Sequence, residues 1–344
     1  MTYPAAKRPV SFSQALFVML LVAGLLFGLT SCRNGEKVAG PPEKITIAYT
    51  TGPDAALVHL AFAKGFFAEE GLDATPQPHA FGKLALKAAL EGTADLATVG
   101  DAPFVFAVMD EKPLTMLATI MLSNKNNAIV ARRDLGIDKP ADLKGKKIGV
   151  TLGTTGDFFA DCLLLANGVE HEQVTFVDLK PAEMAAALAS GEVDAVSAWH
   201  PTLGQVQKGL GNNGVSFFAE RLYTETFSLA ASQDFARKNL GKIKKVMRAL
   251  IKAEGFAKTK APEARRIMSS FIKMEPALLD EIWDVFTFNV VLDQAQLLSL
   301  EDQSRWLLKR KSSARTAMPN YLDFINYDGL LAVKPKAVRI IRGR

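Results

Sequence analysis

Two cysteines in 344 residues, Cys32 and Cys162, allow at most one disulfide, so the fold must rest on buried apolar cores. Histidine is equally sparse. His59, His79, His171 and His200 are scattered, with neither metal-ligand spacing nor a recognisable pairing with a nucleophile. Walker, dinucleotide-binding and G-x-S-x-G fingerprints are missing. No Lys/Arg block is longer than Lys309-Arg310-Lys311, and the formal charge is +5, or +3 without Lys7 and Arg8. That balance argues against a nucleic-acid partner. The longest apolar runs are too short to span a bilayer.

What is present is ordinary globular composition, 49% hydrophobic and 22% charged, over a length that suits two domains. The first residues read as an address. Lys7 and Arg8 form a positive start, and about a dozen apolar residues follow across 15–27. Leu29-Thr30-Ser31-Cys32 then resembles a bacterial lipobox, which predicts a lipoprotein signal peptide over 1–31 and a lipid anchor on Cys32. The alternative is an unlipidated signal peptide with an incidental Cys32. Residues 32–44, charged and carrying Gly35, Gly40, Pro41 and Pro42, suit a tether. Cys162, among leucines, reads as a small buried hydrophobe.

From residue 45 onward, short apolar strands alternate with helices, which predicts an α/β protein with a mainly parallel sheet in each of two units. Residues 45–132 and 133–232 form the units, with crossings near 131–133 and 226–232. From Asp234 onward helices dominate. Three loops share one chemistry: Thr50-Thr51-Gly52-Pro53-Asp54, Gly100-Asp101-Ala102-Pro103, and Gly153-Thr154-Thr155-Gly156-Asp157. Each follows a strand and opens a helix with small residues, hydroxyls and exposed N–H groups. In open α/β sheets, ligands bind at such carboxyl ends. Two loops come from the first unit and one from the second, so a ligand between the units would be gripped from both sides. Binding loops without a catalytic set indicate a receptor, with neither a cofactor nor a metal.

Five segments then carry a family resemblance. Lys64-Gly65-Phe66-Phe67-Ala68-Glu69-Glu70-Gly71-Leu72 resembles the A-x-x-x-G-[FY]-F-x-x-x-G-L stretch of periplasmic binding proteins from ABC importers of nitrate, sulfonates, taurine and thiamine-pyrimidine precursors. Two "G-x-x-D" stretches fit the same pattern, Ala89-Leu90-Glu91-Gly92-Thr93-Ala94-Asp95-Leu96-Ala97 and Leu188-Ala189-Ser190-Gly191-Glu192-Val193-Asp194-Ala195. So do Asp142-Leu143-Lys144-Gly145-Lys146-Lys147-Ile148-Gly149-Val150 and Trp199-His200-Pro201. The resemblance implies a type II periplasmic binding fold of two α/β lobes on a two-strand hinge that closes on ligand, with 233–344 completing the first lobe and carrying a helical C-terminal part. It implies a small nitrogen- or sulfur-containing solute or anion, a permease partner, an extracytoplasmic location and a monomer. It implies that Thr154, Thr155 and Gly156 donate hydrogen bonds and that Trp199 lies near the cleft, with His200 a weaker candidate. Gly100 and Ala102 are expected to offer backbone N–H groups. Thr51, Gly52, Phe81 and Asn127 complete the expected contacts, while Asp95 and Asp194 read as structural.

One departure bears on the ligand. Asp54, Asp101 and Asp157 stand in first-turn positions where an anion-binding member would keep Ser, Thr or Gly. At roughly 4 Å and an effective dielectric near 20, one like charge opposes an anion by about 4 kcal/mol. Either the three are helix caps facing away from the cleft, or the ligand is neutral or cationic and an aspartate accepts its N–H. Two other functions fit less well. A sensory lipoprotein would present the solute to a membrane receptor, and a thiamine-pyrimidine synthase-like enzyme on the same fold would be cytoplasmic and richer in cysteine.

Overall fold

The computed structural model describes residues 40–341. The predicted signal peptide, Cys32 and most of the tether lie outside the described residues.

The first lobe begins as expected from its alternating strand and Gly-stopped helix. Strand β1 (Glu43–Thr50) leads to helix α1 (Ala56–Ala63). Gly65, at φ +72, ends that turn in the left-handed region, where a Cβ would be strained, and a short helix α2 (Phe66–Glu69) follows. Strand β2 (Leu72–His79), helix α3 (Gly82–Leu90), strand β3 (Leu96–Gly100) and helix α4 (Asp101–Met109) continue the alternation. Strand β4 (Leu114–Ser123) is buried along nearly its whole length, as its unbroken apolar run requires.

The chain then enters the second lobe. It contains β5 (Asn127–Arg132), β6 (Lys147–Val150), α5 (Thr155–Ala166), β7 (Thr175–Asp178), α6 (Pro181–Ser190), β8 (Ala195–Trp199), α7 (Thr202–Leu210) and β9 (Gly214–Phe217). Both faces of this sheet are covered. Ile148, Val150, Phe159 and Leu163 pack on one side, and Val130, Leu188, Val196 and Leu203 on the other.

Strand β10 (Glu225–Ser232) returns to the first lobe, followed by α8 (Gln233–Lys238), α9 (Leu240–Thr259), α10 (Ala261–Ile272) and α11 (Pro276–Ile282). Strand β11 (Thr287–Asp293), helix α12 (Gln294–Arg310), helix α13 (Asp328–Val333) and strand β12 (Val338–Arg339) complete the described chain. Met247, Leu250, Leu279, Leu300 and Leu330 of these helices share one core with β1, β3, β4 and β10.

The strand order is β12-β11-β4-β10-β3-β1-β2 in the first sheet and β7-β6-β8-β5-β9 in the second. Both sheets are mixed rather than mainly parallel. β1 runs parallel to β2 and β3, but β10 runs antiparallel to β3 and β4, and β5 antiparallel to β8 and β9. The reason lies in the crossings. A strand that carries the chain between lobes runs against the βαβ strands it joins. The crossings also fall earlier than the sequence suggested. Asn127–Arg132 already pairs within the second sheet, and Glu225–Ser232 already lies within the first. A further difference is β11, where Phe288, Val290, Val291 and Leu292 form an apolar, β-branched strand within the part expected to be dominated by helices.

The two "G-x-x-D" turns play the same part in each lobe. Asp95 Oδ2 accepts the N–H of Thr46 on β1 at 2.7 Å, and Asp194 Oδ2 accepts the N–H of Lys147 on β6 at 2.8 Å. Each carboxylate pins the start of a strand whose far end carries one of the three loops.

Candidate functional site

In the first lobe, β1 and β3 end side by side. The Thr50 N–H donates to Thr98 Oγ1 at 3.1 Å, and the Thr50 hydroxyl donates to Asp54 Oδ1 at 2.6 Å. The Ala55 N–H reaches the same Oδ1 at 2.9 Å, so Asp54 occupies the first turn after β1. Burial pushes its carboxyl up to about 6, against the lowering effect of those hydrogen bonds.

Asp101 opens α4 and is fully buried. Its Oδ1 accepts from Tyr223 Oη at 2.5 Å and the Ala102 N–H at 2.8 Å, and its Oδ2 accepts the Thr226 N–H at 3.1 Å. Tyr223 and Thr226 flank the return into β10, so this carboxyl fastens the crossing to α4. Burial raises it too, to about 6.

In the second lobe, Gly153 adopts φ +71 between β6 and α5. Its N–H donates to Asp157 Oδ2 at 2.9 Å, and the Thr154 hydroxyl donates to the Thr151 carbonyl at 2.6 Å. Asp157 Oδ1 faces Arg310 of α12 at 3.2 Å. The Ser197 hydroxyl donates to the Gly156 carbonyl at 2.7 Å, and the Trp199 ring lies against the Gly156 backbone, 3.4 Å from where a Cβ would stand.

These loops meet at one cavity, with about 290 Å³ of open space counted to its mouth. Asp54, Phe81, Lys83 and Gly100 line it from the first lobe. Thr154, Thr155 and Trp199 line it from the second, and Glu225 and Phe227 from the return strand. The lobes are close: a Cβ on Gly100 would come within 2.9 Å of Thr155 Oγ1, and Lys83 Nζ donates across the gap to the Leu152 carbonyl at 2.9 Å. Larger hollows exist, including one of about 1000 Å³ beside Trp306, but the cleft is the one reached by strand ends of both sheets.

Of the expected contacts, Phe81, Gly100, Thr154, Thr155 and Trp199 share this cavity. Gly156 supports Trp199 from behind. Asp101 and Asp157 turn into the interior networks just described. Ala102 is buried against the second lobe's core, and its N–H is taken by Asp101. Thr51 is exposed, with its N–H donating to the His79 carbonyl, and the Gly52 carbonyl lies 3.1 Å from His59 Nε2. Asn127 donates to Glu225. His200 has a buried Nδ1 without a partner among the described residues, and burial lowers its pKa to about 4. Cys162 is a thiol pushed up to about 12 by burial, which leaves it unreactive.

Glu225 is the residue sequence reasoning missed. It is 3% exposed, and its Oε2 accepts two side-chain amides, Asn126 Nδ2 at 2.7 Å and Asn127 Nδ2 at 2.8 Å. Burial, with the negative charges of Asp101 and Asp54, raises its carboxyl to about 8, so it is largely protonated at neutral pH. The available signal was an acidic residue at the head of the otherwise apolar return strand.

Two lobes, mixed sheets and a cleft between strand ends define the periplasmic binding protein fold. The alkanesulfonate-binding protein SsuA of Xanthomonas axonopodis pv. citri superimposes with a TM-score of 0.73, at 20% identity, over 84% of this chain and 100% of that one. The chain belongs to the NMT1/THI5 like family, whose model matches residues 52–264. A protein of Brucella abortus (strain 2308) named "Putative binding protein" is 25% identical over 231 residues, 65% of this chain and 70% of that protein. The taurine-binding periplasmic protein of Escherichia coli (strain K12) is 28% identical over 166 residues, 48% of this chain and 50% of its own. Both of these relatives are named as binding proteins.

Proposed function

We propose that this protein captures a small nitrogen- or sulfur-containing solute outside the cytoplasmic membrane and delivers it to an ABC permease. The observation that supports this most is the cavity itself, lined from both lobes and by the strand that joins them. A solute there touches both halves, so it favours the closed arrangement by its differential contacts, and the permease reads closure. Thr154, Thr155 and Trp199 hold the solute from the second lobe, and Phe81 and Gly100 hold it from the first. Cys32 carries the lipid that keeps the protein at the membrane surface. The test is a thermal-shift screen of the purified chain against small sulfonates, nitrate and nitrogen heterocycles, since a bound ligand raises stability by about RT ln(1 + [L]/Kd). Binding that also narrows the distance between labels on the two lobes supports the reading. Turnover of a bound compound would contradict it.

A further inference from the structure

The chemistry of the cavity speaks to the kind of solute. A helix N-terminus attracts anions when its first N–H groups are unoccupied. Two of the three loops fill such groups with their own carboxylates, Asp54 taking the Ala55 N–H and Asp101 the Ala102 N–H, while Asp157 takes the Gly153 N–H in the loop ahead of α5. One cation, Lys83, lines the cavity, and its Nζ is engaged with the Leu152 carbonyl.

The two carboxyls on the cavity wall are each only half engaged. Asp54 receives its hydrogen bonds from other residues at Oδ1, and Glu225 receives both of its own at Oε2. Among the described residues, no other residue donates to Asp54 Oδ2 or Glu225 Oε1, although the Asp54 carboxyl also meets its own N–H. Both side chains are more than nine-tenths buried. Both carboxyls line the cavity and neither of these oxygens is fully enclosed, so a solute in the cleft can reach them. Trp199, Phe81 and Phe227 supply the rest of the wall, aromatic faces that suit a flat or cationic group.

We propose that the cleft selects a solute presenting a cationic or N–H-donating nitrogen, an amine, amidine or amino-substituted ring, to Asp54 Oδ2 and Glu225 Oε1. The proposal rests on the solute-binding reading above and specifies the chemistry of that site. Two matters follow from it. The ring or chain of the solute lies against Trp199, and Thr155 meets its polar edge from the second lobe. The raised carboxyls at Asp54 and Glu225 fall when a cation arrives, because the charge that burial disfavours gains a partner.

Matched pairs test this on the full chain. Taurine is compared with ethanesulfonate, which lacks only the amine, and 4-aminopyrimidine with 4-methylpyrimidine; nitrate serves as a bare anion. The proposal expects the nitrogen-bearing member of at least one pair to bind about tenfold or more tighter, the effect of one charge-assisted hydrogen bond. Glu225→Gln and Asp54→Asn should each shrink that ratio by about the same factor, and either variant suffices should the other fail to fold. Equal binding within both pairs, or binding of nitrate and ethanesulfonate alone, overturns the charge assignment and leaves solute capture standing. Silence of every probe counts against both.

Discussion

Arg310 Nη1 stands 3.2 Å from Asp157 Oδ1 and 3.2 Å from Asp161 Oδ2, so a helix of the C-terminal part is tied to α5 of the second lobe. Trp306 Nε1 donates to the same Asp161 Oδ2 at 2.7 Å, one helical turn away on α12. Asp157 thereby has a role that its place in a ligand loop hides: it joins α5 to the last long helix. Replacing Arg310 with Met should destabilise the protein by about 2–3 kcal/mol, because two largely buried carboxylates lose their shared cation. Asp157→Asn should cost less, since an amide oxygen still accepts the Gly153 N–H. Urea denaturation of the two variants checks the order, and a milder Arg310 variant would contradict it.

The Asp101 network predicts a purely structural phenotype. Tyr223→Phe leaves Asp101 buried without its hydroxyl donor and should cost about 1–3 kcal/mol. Selectivity between solutes should not change, because neither side chain lines the cleft. Denaturation midpoints and relative Kd values measured on the same variant separate the two effects.

The elements most legible in the sequence were those with local signals. Gly65 ended a helix as expected, the loops of Gly100 and Gly153 followed strands, and five of the expected contacts share the cavity. What was not legible depended on long-range partners. Asp54, Asp101 and Asp157 look alike in sequence, each a first-turn aspartate after a strand. Only packing separates them: Asp101 meets Tyr223, 122 positions away, and Asp157 meets Arg310, 153 positions away, whereas Asp54 stays on the cavity wall. Glu225 escaped for the same reason, since its amide partners precede it by nearly the whole second lobe. The crossings were misplaced because a strand's apolar pattern does not say which sheet it joins.

Gly100 should control closure rather than folding. Its φ of −70 suits alanine, and an added Cβ would meet Phe227 and Pro103 only at 3.7 Å. Its one severe contact is Thr155 Oγ1, at 2.9 Å across the cleft. Gly100→Ala is therefore expected to leave stability within about 1 kcal/mol and to weaken solute binding about tenfold, by opposing the closed arrangement. Adding Thr155→Ala should relieve the clash. Titrations of the single and double variants measure the coupling, and no interaction between them would remove Gly100 from the closing contact.

Stability of the ligand-free protein should decline as pH rises from about 6.5 to 8; below that, His59 and His200, lowered by burial to about 4, act against the carboxyls. Glu225 is raised in the folded state from 4.5 to about 8, so the folded form holds a proton that the unfolded chain has released within that window. Its contribution is fully present below the unfolded value and is lost as pH rises through the folded one. Within the window, each pH unit removes about 1.4 kcal/mol. Asp54 and Asp101 act in the same direction between 3.8 and about 6. Glu225→Gln should flatten the fall between about pH 6.5 and 8 seen in thermal melts of the wild type. An unchanged slope would show that Glu225 does not titrate there.

A small nitrogen-bearing solute held between the two lobes should be visible directly. The decisive measurement is a crystal structure of the full chain with the tightest-binding compound of the matched pairs. The expected density places the solute between Gly100 and Thr155, with a nitrogen about 3 Å from Glu225 Oε1 or Asp54 Oδ2. A solute seated in the hollow beside Trp306, or one meeting Lys83 through an anionic group with no nitrogen near either carboxyl, would contradict it.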